Sequence, residues 1–172
     1  MHNCCLKMKL KMRQKKTGLE LLQIGSRRFK LAGISGGTRE AKKLLAFALS
    51  IDYADVNSFL NSSVSMEAVK LYLSFIFERV HGKPVSRIIG KRLFFKNEFL
   101  INQHVLDPRP ETETLIEHVL EEKFFNLLDL GTGSGCIIIS LLKEDNKANG
   151  VAVDISEECL ELAKSNSQLL KV

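Results

Sequence analysis

Nine consecutive residues, Leu127-Leu128-Asp129-Leu130-Gly131-Thr132-Gly133-Ser134-Gly135, carry the densest chemical signal in the sequence. Glycines at alternate positions let a backbone turn sharply and approach a ligand closely. A helix that follows such a loop aims free N–H groups at the ligand. A dinucleotide fingerprint places its third glycine one residue later, as G-x-G-x-x-G. Here the spacing is G-x-G-x-G, with Asp129 two residues before Gly131. That pattern suits S-adenosylmethionine, which has no pyrophosphate and offers a methionine carboxylate instead. Asp154, 19 residues past Gly135, supplies a second anchor. A carboxylate at the end of the next strand can accept hydrogen bonds from both ribose hydroxyls. The competing reading is a tight turn plus a surface aspartate. Loop, preceding acid and distal acid together outweigh it. The cofactor-binding candidates are therefore Asp129, Gly131, Thr132, Gly133, Ser134, Gly135 and Asp154.

These residues need a β-α-β-α frame, and the flanking sequence supplies one. Asn126 to Leu130 reads as a short buried strand, and Cys136 to Leu142 as a buried helix, since it follows a glycine loop. Gly150 to Asp154 reads as the second strand. Ser156 is a good N-cap, with Glu157 and Glu158 in the first turn of a helix that reaches about Leu170. Two parallel strands and two helices cannot cover both faces of a parallel sheet. The expectation is that further chain or a partner completes it.

Upstream, Leu19 to Gly82 has a helical pattern. Leu19, Leu22, Phe29 and Leu31 mark a first amphipathic helix, ended by Gly33. A second opens at Thr38 and turns Leu44, Leu45, Ala48 and Leu49 inward. A short third holds Val56, Phe59 and Leu60. The fourth is capped by Ser65 and runs through Val69, Leu71, Tyr72, Leu73, Ile76 and Phe77 to Val80, where Gly82 and Pro84 stop it. The period then changes. Leu93 to Phe95 and Phe99 to Ile101 are strand-like runs around Lys96, Asn97 and Glu98, the pattern of a β-hairpin. In Arg109-Pro110-Glu111-Thr112-Glu113, the proline and acids suit the first turn of a helix burying Leu115, Ile116, Val119 and Leu120.

The 172 residues are 45% apolar and 26% charged, which excludes a disordered or coiled-coil chain. No apolar run approaches a membrane span, and no secretory signal follows the basic start; a cytoplasmic protein without membrane contact is expected. Cys4, Cys5, Cys136 and Cys159 have neither disulfide-framework nor zinc spacing, and His2, His81, His104 and His118 show no ligand spacing, so no metal is expected. Much of the +5 net charge comes from the first 30 residues. The first 28 lack aromatic side chains for base stacking, so the arm reads as a solvated extension rather than a direct nucleic-acid binder.

Several segments together resemble the HemK/PrmC family of release-factor glutamine methyltransferases. Gly82-Lys83-Pro84-Val85-Ser86-Arg87-Ile88-Ile89-Gly90 is similar to the family's Gly-x-Pro-x-x-Tyr-Ile-x-Gly, with Arg87 in place of the tyrosine. Val105-Leu106-Asp107-Pro108-Arg109-Pro110-Glu111-Thr112-Glu113, Asp129 to Gly135 and Val153-Asp154-Ile155-Ser156 complete the likeness. The Arg-Pro-Glu-Thr-Glu run is its most specific piece, although cap chemistry alone also explains that run.

The resemblance implies an α/β protein: an N-terminal helical bundle, a β-hairpin linker, and the first β-α-β-α of a Rossmann-like class-one methyltransferase domain, which is incomplete. The implied boundaries are a basic extension over 1–18, a helical substrate-recognition domain over 19–84, the linker and hairpin over 85–108, and a partial S-adenosylmethionine-binding domain over 109–172. It further implies Pro110 and Thr112 near the cofactor, and a monomer when complete. The implied reaction is N5-methylation of the glutamine in the Gly-Gly-Gln motif of peptide-chain release factors. In the family an Asn-Pro-Pro-Tyr motif grips the amide, and that motif does not occur in these 172 residues. No catalytic residue is therefore assigned, and the chain alone is expected to be inactive. The rival expectations are a ribosomal-protein or adenine methyltransferase, and a non-catalytic remnant or binding module.

Overall fold

A computed structural model describes residues 15–172, which form two compact units, one ending at Ile89 and one spanning Gly90–Val172. Most of the basic extension, with His2, Cys4 and Cys5, lies outside the described residues.

The first unit is helical. Strand β1 (Lys16–Thr17) pairs antiparallel with β2 (Ser63–Val64) and leads directly into α1 (Gly18–Leu31). Thr17 caps α1 through a capping box: its hydroxyl accepts from the Glu20 N–H, while the Glu20 carboxylate accepts from the Thr17 N–H. A cap of this type contributes about 1 kcal/mol. The buried stripe of α1 is Leu21, Gly25 and Phe29, at i, i+4 and i+8. Leu19 and Leu31, expected on that stripe, fall outside it, and Leu31 is 77% exposed. Helix α2 (Gly37–Leu49) buries Leu44, Leu45 and Ala48 as the periodicity predicts.

A 3-10 turn (Tyr53–Asp55) precedes α3 (Val56–Phe59), and α4 (Met66–Val80) starts at its predicted cap, Ser65, whose hydroxyl accepts from the Ala68 N–H. Leu71 and Phe77 of α4 are exposed, and Phe75 takes an inward place beside Val69, Tyr72 and Ile76. Gly25 is what lets α1 and α4 approach: an added Cβ would stand 2.0 Å from the Tyr72 hydroxyl oxygen. Helix α5 (Val85–Ile89) was not legible in the sequence and packs its apolar residues on the same core.

The second unit begins with the hairpin. Strands β3 (Lys91–Phe94) and β4 (Asn97–Leu100) pair antiparallel, with Lys91 opposite Leu100 and Phe94 opposite Asn97. Both strands start two residues earlier than expected. Phe95 makes the turn in a left-handed conformation (φ 53°) instead of extending the strand. A 3-10 turn (Pro110–Thr112) then leads into α6 (Glu113–Glu121). Next come β5 (Asn126–Leu130), α7 (Cys136–Glu144), β6 (Asn149–Val153) and α8 (Glu157–Leu170). β5 and β6 pair in parallel, Asn126 opposite Asn149 and Leu130 opposite Val153.

The core of this unit joins Phe94 and Phe99 of the hairpin, Ile116 of α6, and Ile138, Ile139 and Leu141 of α7, with Leu127 and Ala152 packed against it from the sheet. One expectation needs correction. β5 is not a buried strand: Leu127 faces this core, while the alternate residues Leu128 and Leu130 are 64% and 72% exposed. A strand alternates its side chains between faces, and α7 covers one face only. Val151 and Val153 continue the open apolar face on β6. No helix of the described residues is long and apolar enough to cross a membrane.

Candidate functional site

The loop between β5 and α7 is held by backbone geometry that only glycine adopts easily. Gly131, Gly133 and Gly135 have φ of 76°, 56° and 76°, in the left-handed region. The first and second differ from the third in their surroundings. A Cβ on Gly131 or Gly133 would meet nothing within 4 Å, so both open onto free space that a ligand can enter. A Cβ on Gly135 would lie 2.7 Å from Ile139 Cδ1 and 3.2 Å from Ala163 Cβ, so Gly135 serves the packing of α7 against α8.

Strand ends fix the loop in place. The Gly131 and Thr132 N–H groups both donate to the Val153 carbonyl, at 2.8 and 3.0 Å, and the Gly135 N–H donates to the Thr132 carbonyl at 2.9 Å. The Thr132 hydroxyl donates to Asp129 Oδ2 at 2.8 Å, which ties the acid before the loop to the loop itself. Gly135 caps α7, whose first internal bond runs from the Ile139 N–H to the Gly135 carbonyl. The N–H groups of Cys136, Ile137 and Ile138 therefore have no partner within the helix. Together with the positive end of the helix dipole they suit an anionic group.

Asp154 stands beside this loop, just past β6. Its Oδ2 accepts from the Gly133 N–H at 2.8 Å and its Oδ1 from the Ser156 N–H at 3.0 Å. These N–H groups, Ser156 first and Gly133 second, hold the Asp154 carboxyl below its ordinary range. An ionised carboxylate has about four acceptor sites, so two hydrogen bonds leave capacity for a ligand hydroxyl pair.

A depressed folded pKa means that the carboxylate's contribution to stability is present above the unfolded value, about 4, and is lost as pH falls through the folded value. The Asp154→Asn chain should therefore be less stable than wild type at neutral pH, with the gap closing below about pH 4. Urea unfolding at pH 7 and pH 3 measures this; a gap that is the same at both would show that the Asp154 charge does not hold the loop.

Asp129, the loop residues 131–135 and Asp154 thus come together as one site. Pro110 and Thr112 stand on the 3-10 turn before α6. The loop's hydrogen bonds run to Asp129, Val153, Asp154 and Asn166, not to that turn. Asn166 is the participant that sequence reasoning missed. It is fully buried, and its Nδ2 donates to the Ser134 carbonyl at 2.8 Å and the Leu100 carbonyl at 3.0 Å. Its Oδ1 accepts from the Leu100 N–H at 2.7 Å. Burial pushes the Cys136 thiol up, in line with a core role. The Cys159 thiol donates to the His104 carbonyl at 3.4 Å.

Comparison with known proteins matches residues 20–90 to the PrmC N-terminal domain and residues 103–172 to the methyltransferase small domain. A release factor glutamine methyltransferase of Cereibacter sphaeroides is 42% identical over 145 residues, covering 84% of this chain and 52% of that protein. A protein of the same name from Koribacter versatilis is 41% identical, over 76% of this chain and 48% of its own. The one from Caulobacter vibrioides is 35% identical, over 81% and 50%. The chain spans about half the length of the curated relatives it matches.

Proposed function

We propose that this chain, which joins a PrmC N-terminal domain to a methyltransferase small domain and has release factor glutamine methyltransferases as homologues, binds S-adenosylmethionine as part of the machinery that methylates the Gly-Gly-Gln glutamine of peptide-chain release factors. The observation that carries this reading is the open glycine loop braced by Asp129 and Asp154. When bound, the cofactor supplies an electrophilic methyl group on a sulfonium. Gly131 and Gly133 would leave room for it, the first-turn N–H groups of α7 would hold its carboxylate, and the remaining acceptor capacity of Asp154 would take its ribose hydroxyls. Pro110 and Thr112 border the same ligand in this reading.

A side-chain amide is a poor nucleophile because its nitrogen lone pair is delocalised. The reaction therefore rests on orientation and electrostatic preorganisation rather than on a covalent intermediate. The amide grip is the task of the Asn-Pro-Pro-Tyr segment named by the family resemblance, which is not among these 172 residues. In this reading the helical unit recognises the release factor, and the complete protein is a cytoplasmic monomer.

Removing residues 1–89 should then abolish release-factor capture and leave S-adenosylmethionine affinity unchanged. Pull-down with purified release factor and calorimetry with the cofactor measure the two separately. Loss of both together would count against a separate recognition unit.

A further inference from the structure

We infer that Asn166 is the positioning residue of the cofactor loop. This rests on the proposed reading of the loop and assigns the group that sets its shape. Asn166 lies on α8, 32 positions beyond Ser134 and 66 beyond Leu100, and it bonds to both. Its side chain is 0% exposed. Both Nδ2 protons are used, one on the Ser134 carbonyl and one on the Leu100 carbonyl, and Oδ1 takes the Leu100 N–H. A buried carboxamide with both donors satisfied has one tolerated orientation, because rotating it would leave several polar atoms unpaired in the interior.

The peptide it holds is the one that decides the loop. The Ser134 carbonyl points to Asn166, and the N–H of the same peptide unit, on Gly135, donates to the Thr132 carbonyl. The peptide is planar, so these two bonds fix its direction from opposite sides. That plane sets where α7 begins and where its free N–H groups aim. Gly133, two residues upstream, is held by Asp154 at its N–H. The loop is thus clamped at two points: Asp154 from the sheet end and Asn166 from α8. Asn166 also ties α8 to β4 of the hairpin, so the hairpin supports the loop through this one side chain.

Asn166→Leu keeps the volume and removes all three bonds. Asn166→Asp keeps the Oδ1 acceptor and removes both donors. Leu162→Ala is the control, because Leu162 lies on the same helix and packs against Ile101, Val105 and Cys159 rather than the loop. In the folded 172-residue chain, either Asn166 variant should move the amide resonances of Gly133 and Gly135 and weaken S-adenosylmethionine binding about tenfold, roughly 1.4 kcal/mol. Leu162→Ala should lower the melting temperature without either effect.

Wild-type loop resonances and affinity in a folded Asn166→Leu chain would overturn the assignment. So would an equal loss of affinity in Leu162→Ala. If neither Asn166 variant folds, the wild-type chain decides: the Asn166 side-chain amide protons should exchange slowly and show scalar coupling to the Ser134 carbonyl carbon, and absence of that coupling overturns the assignment. A wild-type chain that binds no cofactor would defeat the reading of the loop. The resonance shifts would still decide whether Asn166 positions it.

Discussion

Incubated with labelled S-adenosylmethionine and purified release factor, the 172-residue chain is expected to transfer no label. The glutamine amide must be turned and held before its nitrogen can attack a methyl carbon. Correct placement of this kind is worth about 7–11 kcal/mol of barrier, so its loss removes essentially all turnover. The chain has three prolines, Pro84, Pro108 and Pro110, preceded by lysine, aspartate and arginine. No asparagine–proline step exists to stand in for Asn-Pro-Pro-Tyr. The open face of the β5–β6 sheet, with Leu128, Leu130, Val151 and Val153 exposed, points the same way, since an apolar face of that kind invites covering chain. Turnover by the chain alone, comparable with that of a full-length relative, would contradict the orientation mechanism.

Gly135→Ala should destabilise the second unit by about 3 kcal/mol, the sum of two costs. An alanine held in the left-handed region costs about 1–2 kcal/mol. Forcing its Cβ against Ile139 and Ala163 adds about 1–3 kcal/mol of overpacking, because both contacts are tighter than ordinary packing and Ala163 has little room to retreat. Gly133→Ala should cost only the first of these, about 1–2 kcal/mol, since its Cβ meets open space. Urea unfolding of the two variants measures the difference. Cofactor affinity should invert the order among folded molecules, Gly133→Ala losing more because its methyl group projects where the ligand approaches. Equal destabilisation by both would mean that the tight Gly135 contacts can relax without cost.

Much of the site was legible because its constraints are local. Alternate glycines announce left-handed backbone, and all three have it. Ser65 and Ser156 announce helix starts, and both accept the bond a cap must accept. What stayed hidden depends on tertiary placement. Leu128 and Leu130 look like core residues in sequence, yet a strand covered on one face leaves every second residue open. Phe95 looks like a strand residue, yet the pairing of Phe94 with Asn97 leaves it the turn. Asn166 sits between two serines and looks like surface. Its position was still readable: Cys159, Leu162, Ala163, Asn166 and Leu170 follow helical spacing, which puts an amide on the inward stripe of α8. A polar residue on such a stripe must find partners. Its partners lie 32 and 66 residues upstream, beyond the reach of any local pattern.

The central claim is that the loop from Gly131 to Gly135, with Asp154, is a methyl-donor site. Titrating the isotope-labelled 172-residue chain with S-adenosylmethionine, while following the backbone amide resonances, tests it most directly. Saturable shifts centred on Gly131, Gly133, Asp154 and the first turn of α7 are expected, with the helical unit unmoved and the response lost in Gly133→Ala. A folded chain whose loop resonances stay fixed at millimolar cofactor, or whose shifts fall elsewhere, would contradict it.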